Sequence, residues 1–368
     1  CALVISIPLG YFAGIGGASR RGVLVKGANF LEALTRVDTV VFDKTGTLTA
    51  GSFRVVEVQG ENGVTEHEVL RLAAHAGARS SHPVSTSIRE SYCDNGRQGR
   101  MIDESAITAV DEVSGMGVRA TVAGERVMAG NDRLLHLENV PHDVCVTDGT
   151  VVNVAKDGVL AGRIRMADQV KPGASDGVRR LRHAGVDRIV MLTGDVSHVA
   201  QQVACEVGID EYRADLLPEQ KVEALEAIMN EHAGRELGHE LGRRKMGAVA
   251  FVGDGINDAP ALMRADVGIA MGGLGSDAAI EAADVVIMDD NPARIADAIE
   301  IARRTHRVVV ENIVFSLAVK AAVLALGAMG IASMWSAVFA DVGVALIAVL
   351  NAMRAYGGRR ALSPATSA

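Results

Sequence analysis

Three apolar runs in this 368-residue sequence end in acidic turns: TVVFD at Asp43, RIVMLTGD at Asp195 and VAFVGDG at Asp254. One acidic turn is ordinary loop chemistry, because Asp readily bonds its own backbone there. Three together, two of them bearing glycine with Thr or Asn nearby, fit a Mg²⁺ and phosphate site. Mg²⁺ takes oxygen ligands and is commonly held by one or two carboxylates plus phosphate. Asp43 directly follows its apolar run, so its carboxylate is expected at a sheet edge. A carboxylate placed there can accept a phosphoryl group as an aspartyl-phosphate. Thr47 and the Gly46 backbone are candidates to bind that group, and Lys221, after LPEQ, to neutralise its charge.

These residues need a frame. VDTVVFD (37–43) reads as a buried strand followed by a polar turn. Residues 164–306 alternate helix and strand: ASDGVRRLRHAGV, RIVMLTGD, PEQKVEALEAIM, GAVAFVGDG, VGIAMG and ADVVIMDD. Such alternation predicts a doubly wound α/β domain with a parallel sheet, whose chemistry collects at the carboxyl ends of the strands. NEHAGRELGHELGRRKM is expected to be a polar connector and a surface insertion. Residues 51–163 differ in character: they are rich in valine, glycine and charge, with alternation as in VRATVAGERVMAG. They predict a small α+β module inserted into the doubly wound domain.

DKTGTLT (43–49), TGD (193–195) and GDGINDAP (253–260) together resemble the signature motifs of the P-type ATPases. Those are membrane cation pumps whose phosphorylation domain is haloacid-dehalogenase-like. The resemblance implies that Asp43 is the phosphorylated nucleophile, within a motif that includes Lys44, and that Asp43, Asp254 and the Thr45 carbonyl hold Mg²⁺. It implies phosphoryl contacts from Thr47, Thr193, Gly194, Lys221 and Asn257, and support of the ATP and Mg²⁺ geometry by Asp195 and Asp258. Phosphatases of the superfamily often carry a second Asp two residues after the nucleophile, as acid and base. Thr45 stands there in this chain, so nothing at that position activates water and the aspartyl-phosphate is expected to persist.

Within the inserted module, SSHPVS (80–85), SGMGV (114–118) and AGN (129–131) resemble, in order, the nucleotide-binding domain of heavy-metal pumps. By that resemblance His82, Pro83, Gly115, Gly117, Gly130 and Asn131 bind ATP. The family usually has Glu five residues before the His. Gly77 stands there, so ATP is expected to be held more weakly, by the roughly 1–3 kcal/mol of a lost polar partner.

Residues 308–353 hold two apolar segments with a break near Ser333, each about 20 residues and so long enough to cross a bilayer as a helix. Arg303, Arg304 and Arg307 precede the pair, Arg354, Arg359 and Arg360 come after it, and Trp335 is expected at the far interface. That is the positive-inside pattern of an antiparallel hairpin. Lys320 lies 13 residues after Arg307 and Asp341 lies 13 before Arg354. At 1.5 Å per residue each is about 20 Å from its basic flank, which matches their depths approximately. Charges at that depth are rare and usually functional, so the two are expected to pair at an ion site.

The chain opens inside the apolar run CALVISIPLGYFAGIGGA, interrupted by Pro8 and glycines and succeeded by Arg20 and Arg21. Charge after the run is the wrong order for a signal peptide. The run resembles the stretch after Cys-Pro in the metal-binding helix of heavy-metal pumps, with Cys1 as the second Cys of Cys-Pro-Cys. Lys320 and DVG (341–343) resemble the zinc, cadmium and lead branch, where copper pumps tend to show Asn, Tyr, Met and Ser. Cys1 and Asp341 are then ligands of a transported Zn²⁺, Cd²⁺ or Pb²⁺, with Lys320 as counter-charge. A thiolate and carboxylate shell suits such a borderline ion.

The resemblance runs from Cys1 to about Arg354 and corresponds to the C-terminal half of a pump, without the first membrane helices and the actuator domain. Six parts are expected: 1–19, the end of a metal-binding transmembrane helix; 20–50 and 164–307, the phosphorylation domain; 51–163, the nucleotide-binding domain; 308–353, two transmembrane helices; and a tail, 354–368. The expected setting is a bacterial plasma membrane with the catalytic domains in the cytoplasm, and the expected partners are ATP, the metal ion, the bilayer and the N-terminal half.

Composition agrees with a membrane part: 22% of residues are charged, 3% are aromatic, and mean hydropathy is +0.21. A net charge of −8 without a basic, aromatic-bearing stripe excludes nucleic acid as partner. Cys1, Cys93, Cys145 and Cys205 form no CxxC pair, so neither a disulfide framework nor a zinc knuckle is expected. A membrane-tethered phosphatase and a non-catalytic metal-binding pump relic are the competing readings.

Overall fold

The structure is a computed structural model that describes residues 2–94, 101–142, 150–238, 247–254, 258–272, 277–331 and 334–356. In chain order the first elements are α1 (Ala2–Ser19), β1 (Val23–Val25), α2 (Ala28–Arg36), β2 (Val37–Asp43) and β3 (Thr49–Gly60). After them come α3 (Glu66–Ala76), α4 (Pro83–Asp94), β4 (Ile107–Val113), β5 (Gly117–Val122), β6 (Glu125–Gly130), α5 (Asp132–Leu137), β7 (Thr150–Lys156) and β8 (Val159–Val170). Next are α6 (Ala174–His183), β9 (Arg188–Leu192), α7 (Ser197–Val207), β10 (Glu211–Arg213), α8 (Pro218–Gly238) and β11 (Ala248–Gly253). The last are α9 (Ala259–Arg264), β12 (Val267–Met271), α10 (Asp277–Ala282), β13 (Val285–Ile287), α11 (Ala293–Ala328) and α12 (Met334–Tyr356).

By internal contacts the chain divides into two units: residues 1–48, 171–194 and 204–368, and residues 49–170 with 195–203. The first holds a seven-stranded sheet in the order β1-β13-β12-β11-β2-β9-β10. Every neighbouring pair is parallel except β1 and β13. Its central strands are largely apolar because both faces are covered, and all six residues of β11 are buried. Leu225, Ile228 and Leu262 from α8 and α9 join Val41, Val190 and Phe251 in the core of one face. α2 lies against β11 and β12 and packs with α11, which also meets α6.

The second unit is a six-stranded antiparallel sheet, β3-β8-β7-β6-β5-β4. Val69, Leu72, Ile88 and Tyr92 of α3 and α4 pack with Val118, Val154 and Ile164 of its strands. The boundaries expected at 51 and 163 fall inside β3 and β8, which pair with each other from Thr49↔Val170 to Gly60↔Gly162. That pairing carries the unit to 49 and 170.

Three local expectations are corrected. α1 is one helix through Pro8, and its glycines are packing positions: a Cβ on Gly10 would meet Val309, and one on Gly14 would meet Thr305. Small residues let helix backbones approach closely in this way. Asn230–Gly238, expected as connector, continue α8; residues 239–246 lie outside the described ones. The first apolar segment is not a separate element beginning at 308, since α11 runs unbroken from Ala293 to Ala328. Among the described residues this is the helix long and apolar enough to cross a membrane. Asn312, buried on α11, donates to the Ala348 carbonyl of α12 at 2.9 Å and accepts from Asn351 at 2.9 Å.

Candidate functional site

Register brings the acidic turns together. β2 lies between β11 and β9, with Phe42 abreast of Val252 and Asp43 abreast of Leu192. Asp254 and Thr193 therefore each emerge within a residue or two of Asp43, at the same carboxyl edge of the sheet. After Asp43 the chain turns through an extended Thr45 and a Gly46 at φ 70°. Gly46 is needed twice: its φ is left-handed, and a Cβ there would run into the Asp254 carboxylate.

The carboxylates of Asp43, Asp254 and Asp258 offer oxygens that all lie within 4.8 Å of one another. Lys221, on the first turn of α8, reaches Asp43 Oδ1 at 2.6 Å and Asp258 Oδ1 at 3.4 Å. Burial and the neighbouring Asp258 push the Asp43 carboxyl up to about 7, against the opposing pull of Lys221. Burial and Asp258 likewise push Asp254 up to about 6, with Lys171 opposing. Burial alone would lower Lys221, but Asp43 and Asp258 outweigh it and hold the ammonium above its usual range. The site is thus short of positive charge, and a hard divalent cation fits three oxygen donors at this spacing. The Thr47 hydroxyl is fully buried beside Asp43 in sequence and has no partner among the described residues. A buried hydroxyl left unmatched is an open valence for a ligand oxygen.

Thr193 is buried, its amide bonded to the Arg213 carbonyl at 3.0 Å, and Gly194 is exposed at the end of β9. Asp195 is half-buried and groups with the second unit. Lys44 is buried and Thr45 exposed. Asn257 and Cys1 lie outside the described residues. Lys171 and Asp290 were not singled out by sequence. Lys171 is 5% exposed, and its ammonium donates to the Gly46 carbonyl and, at 2.9 Å, to Asp290. It ties the turn after Asp43 to Asp290. The only sequence signal for it is a lysine closing a strand before Pro-Gly.

In the second unit the glycine motifs gather. Gly117 and Gly130 face each other across β5 and β6, and a Cβ on either would strike the other strand. Asn131 ties this point down, donating its amide to the Gly115 carbonyl at 2.9 Å and its backbone N–H to the Met116 carbonyl at 2.8 Å. His82 and Pro83 are exposed. Their loop is anchored by Ser80, which donates to Glu112 at 2.8 Å, and by Arg89, which donates to the Gly77 and Ser80 carbonyls at 2.6 and 2.7 Å. Lys320 and Asp341 meet at 3.3 Å.

Comparison with known proteins gives the arrangement a family. Residues 37–266 match the model of the haloacid dehalogenase-like hydrolases. The chain is 53% identical over 354 residues to a zinc-transporting ATPase of Synechocystis sp., covering 96% of this chain and 47% of that protein. It is 49% identical to a cadmium, zinc and cobalt-transporting ATPase of Bacillus subtilis, covering 96% and 48%. The fold superposes on the crystal structure of a zinc-transporting PIB-type ATPase in the E2.Pi state with a TM-score of 0.80, at 34% identity, over 97% of this chain and 56% of that one. The chain spans about half the length of the curated relatives it matches.

Proposed function

The chain belongs to the haloacid dehalogenase-like hydrolase family, on the branch of the heavy-metal-transporting P-type ATPases, and from that premise we propose that it performs the phosphoryl-transfer and ion-holding steps of ATP-driven export of Zn²⁺, Cd²⁺ or Pb²⁺. The observation that carries this reading is the Lys221–Asp43 contact of 2.6 Å at the sheet edge, with the unmatched Thr47 hydroxyl buried in the turn that comes after Asp43. An Asp43 oxygen attacks the terminal phosphorus of ATP; the new O–P bond forms as the bond to the bridging oxygen breaks, and ADP leaves. Lys221 holds the Asp43 carboxylate and offsets charge on the transferred group, and Thr47, Thr193 and Gly194 receive its oxygens. Mg²⁺, held by Asp43, the Thr45 carbonyl and Asp254, would supply positive charge opposite the phosphate oxygens. Lys171 keeps the Gly46 turn, and with it the Asp43 carboxylate, in place. Because residue 45 is Thr, no side chain there activates water, and the aspartyl-phosphate lasts.

ATP would be held by His82, Pro83, Gly115, Gly117, Gly130 and Asn131. The transported ion would be held by Cys1 and Asp341, with Lys320 as counter-charge. α11 and α12 would cross a bacterial plasma membrane, with the catalytic domains on the cytoplasmic side where Arg303, Arg304 and Arg307 lie. Incubation with labelled ATP and Mg²⁺ should yield an acid-stable, hydroxylamine-sensitive phosphoprotein that is absent in Asp43→Asn. No such phosphoprotein overturns the reading. Fast release of phosphate from a generic phosphomonoester, lost in Asp43→Asn, would replace it with a phosphatase.

A further inference from the structure

A second cluster of ligand-bearing side chains lies in the antiparallel unit and shares no residue with the Asp43 site. Asp132 opens α5, and His136 comes four residues later on the same face of the helix. Past the helix the chain reverses at Asn139, whose φ of 54° is left-handed, and the buried Val140 anchors the return. The reversal delivers His142 to Asp132. His142 Nε2 stands 2.8 Å from one carboxylate oxygen, and His136 Nε2 stands 3.2 Å from the other. All three ligand atoms lie within 4.8 Å of one another.

The second nitrogen of His142 decides the chemistry. Nδ1 is 2.8 Å from the Val140 carbonyl oxygen, which can only accept, so Nδ1 carries the proton. The neutral ring then turns its Nε2 lone pair toward a carboxylate oxygen. Two electron pairs do not face each other at 2.8 Å without positive charge between them. Either a proton on Nε2 or a metal ion would supply it. The His142 side chain is 6% exposed, and the His136 ring lies 4.8 Å away with its Nε2 toward the same carboxylate. A proton on His142 would serve that ring alone; one divalent ion would engage both rings and the carboxylate together. An Nδ1–H held by a backbone carbonyl is also how metal-binding histidines are oriented.

We propose that Asp132, His136 and His142 form a binding site for a borderline divalent transition-metal ion, of the Zn²⁺ or Co²⁺ class, on the inserted α+β domain. Two imidazoles and one carboxylate are the donor set such ions take, with a fourth position left for water. The ion would pin α5 to the strap that comes after it. The site goes beyond the pump reading and does not depend on it.

The probe is Co²⁺ alone, titrated into the full chain with excess Mg²⁺ present. The background carries Cys1→Ser and Asp341→Asn, so that the proposed transport site does not contribute. One equivalent of Co²⁺ should bind with the visible d–d absorption of a four-coordinate ion and no thiolate charge-transfer band. His136→Ala, at a side chain 69% exposed, should keep the fold and weaken Co²⁺ binding at least tenfold. His142→Ala should do the same, but His136→Ala decides the matter if the buried variant unfolds. Titrations indistinguishable between the background chain and His136→Ala, whether both bind or neither does, overturn the site. They would leave His142 as the imidazolium partner of an ion pair.

Discussion

Asp43 is held in a setting that penalises its own charge, so its ionisation couples to stability. Its folded value of about 7 lies well above the 3.8 of an unperturbed Asp, and Asp254 is raised to about 6. A raised carboxyl favours the folded state while protonated; that contribution is complete below about 4 and is lost as pH rises through about 7. With a chelator present, the stability of the wild-type chain relative to Asp43→Asn should therefore fall between pH 5 and pH 8. The slope is the readout, since Asn cannot titrate and Lys221 contributes a constant offset. A flat difference across that window would refute the assignment. Of the residues at this edge, Asp43, Asp254 and Asp258 were legible because each sits in a motif after a strand end, and Lys221 because it follows LPEQ at the start of a helix. Lys171 and Asp290 were not, because they join the site only through folding contacts 119 residues apart. The Asp132 cluster was hidden for a similar reason: a single left-handed Asn139 brings His142 back onto α5.

At the scale of elements, α11 is fastened to the catalytic unit by a buried charge. Asp297, 4% exposed at its side chain, accepts from Arg180 of α6 at 2.7 Å and from Arg294 at 3.4 Å, and Arg21 lies 3.6 Å away. The arginines left behind are 24–38% exposed and keep part of their hydration, so the loss is mainly that of charged hydrogen bonds. Asp297→Ala should destabilise the chain by about 1–3 kcal/mol, seen as a lower midpoint of thermal unfolding in detergent. An unchanged midpoint would show that the arginines find water instead. Five strands of the larger sheet, β2, β9, β11, β12 and β13, could be read from the sequence because their runs are largely apolar; the three-residue β1 and β10 could not. Helix extents could not. Nothing local says that Pro8 is absorbed within α1, that polar Asn230–Gly238 stay helical, or that α11 keeps going past Arg307. Those extents are set by packing, such as the approach of Gly10 and Gly14 to α11.

For the molecule as a whole, the pairing of Lys320 with Asp341 at 3.3 Å supports the proposed counter-charge role of the lysine. Under that reading the lysine would neutralise the acid, and an arriving cation would have to displace it. Lys320→Ala in a full-length pump should slow metal-stimulated ATP turnover roughly tenfold, within the 1–3 kcal/mol usual for coupling between sites. Normal turnover with normal metal preference would make the lysine structural only. The unbroken course of α11 also has a mechanical consequence. From Asp297, clamped among arginines, to Lys320 is about 35 Å of continuous helix at 1.5 Å per residue. A shaft of that length has no joint in which to lose motion. A tilt of about 10° pivoting at Asp297 would swing Lys320 sideways by about 6 Å, farther than the gap that now joins it to Asp341. Where α12, tied to α11 at Asn312, does not follow the tilt, small angular play near Asp297 is enough leverage to make or break the ion pair at the other end.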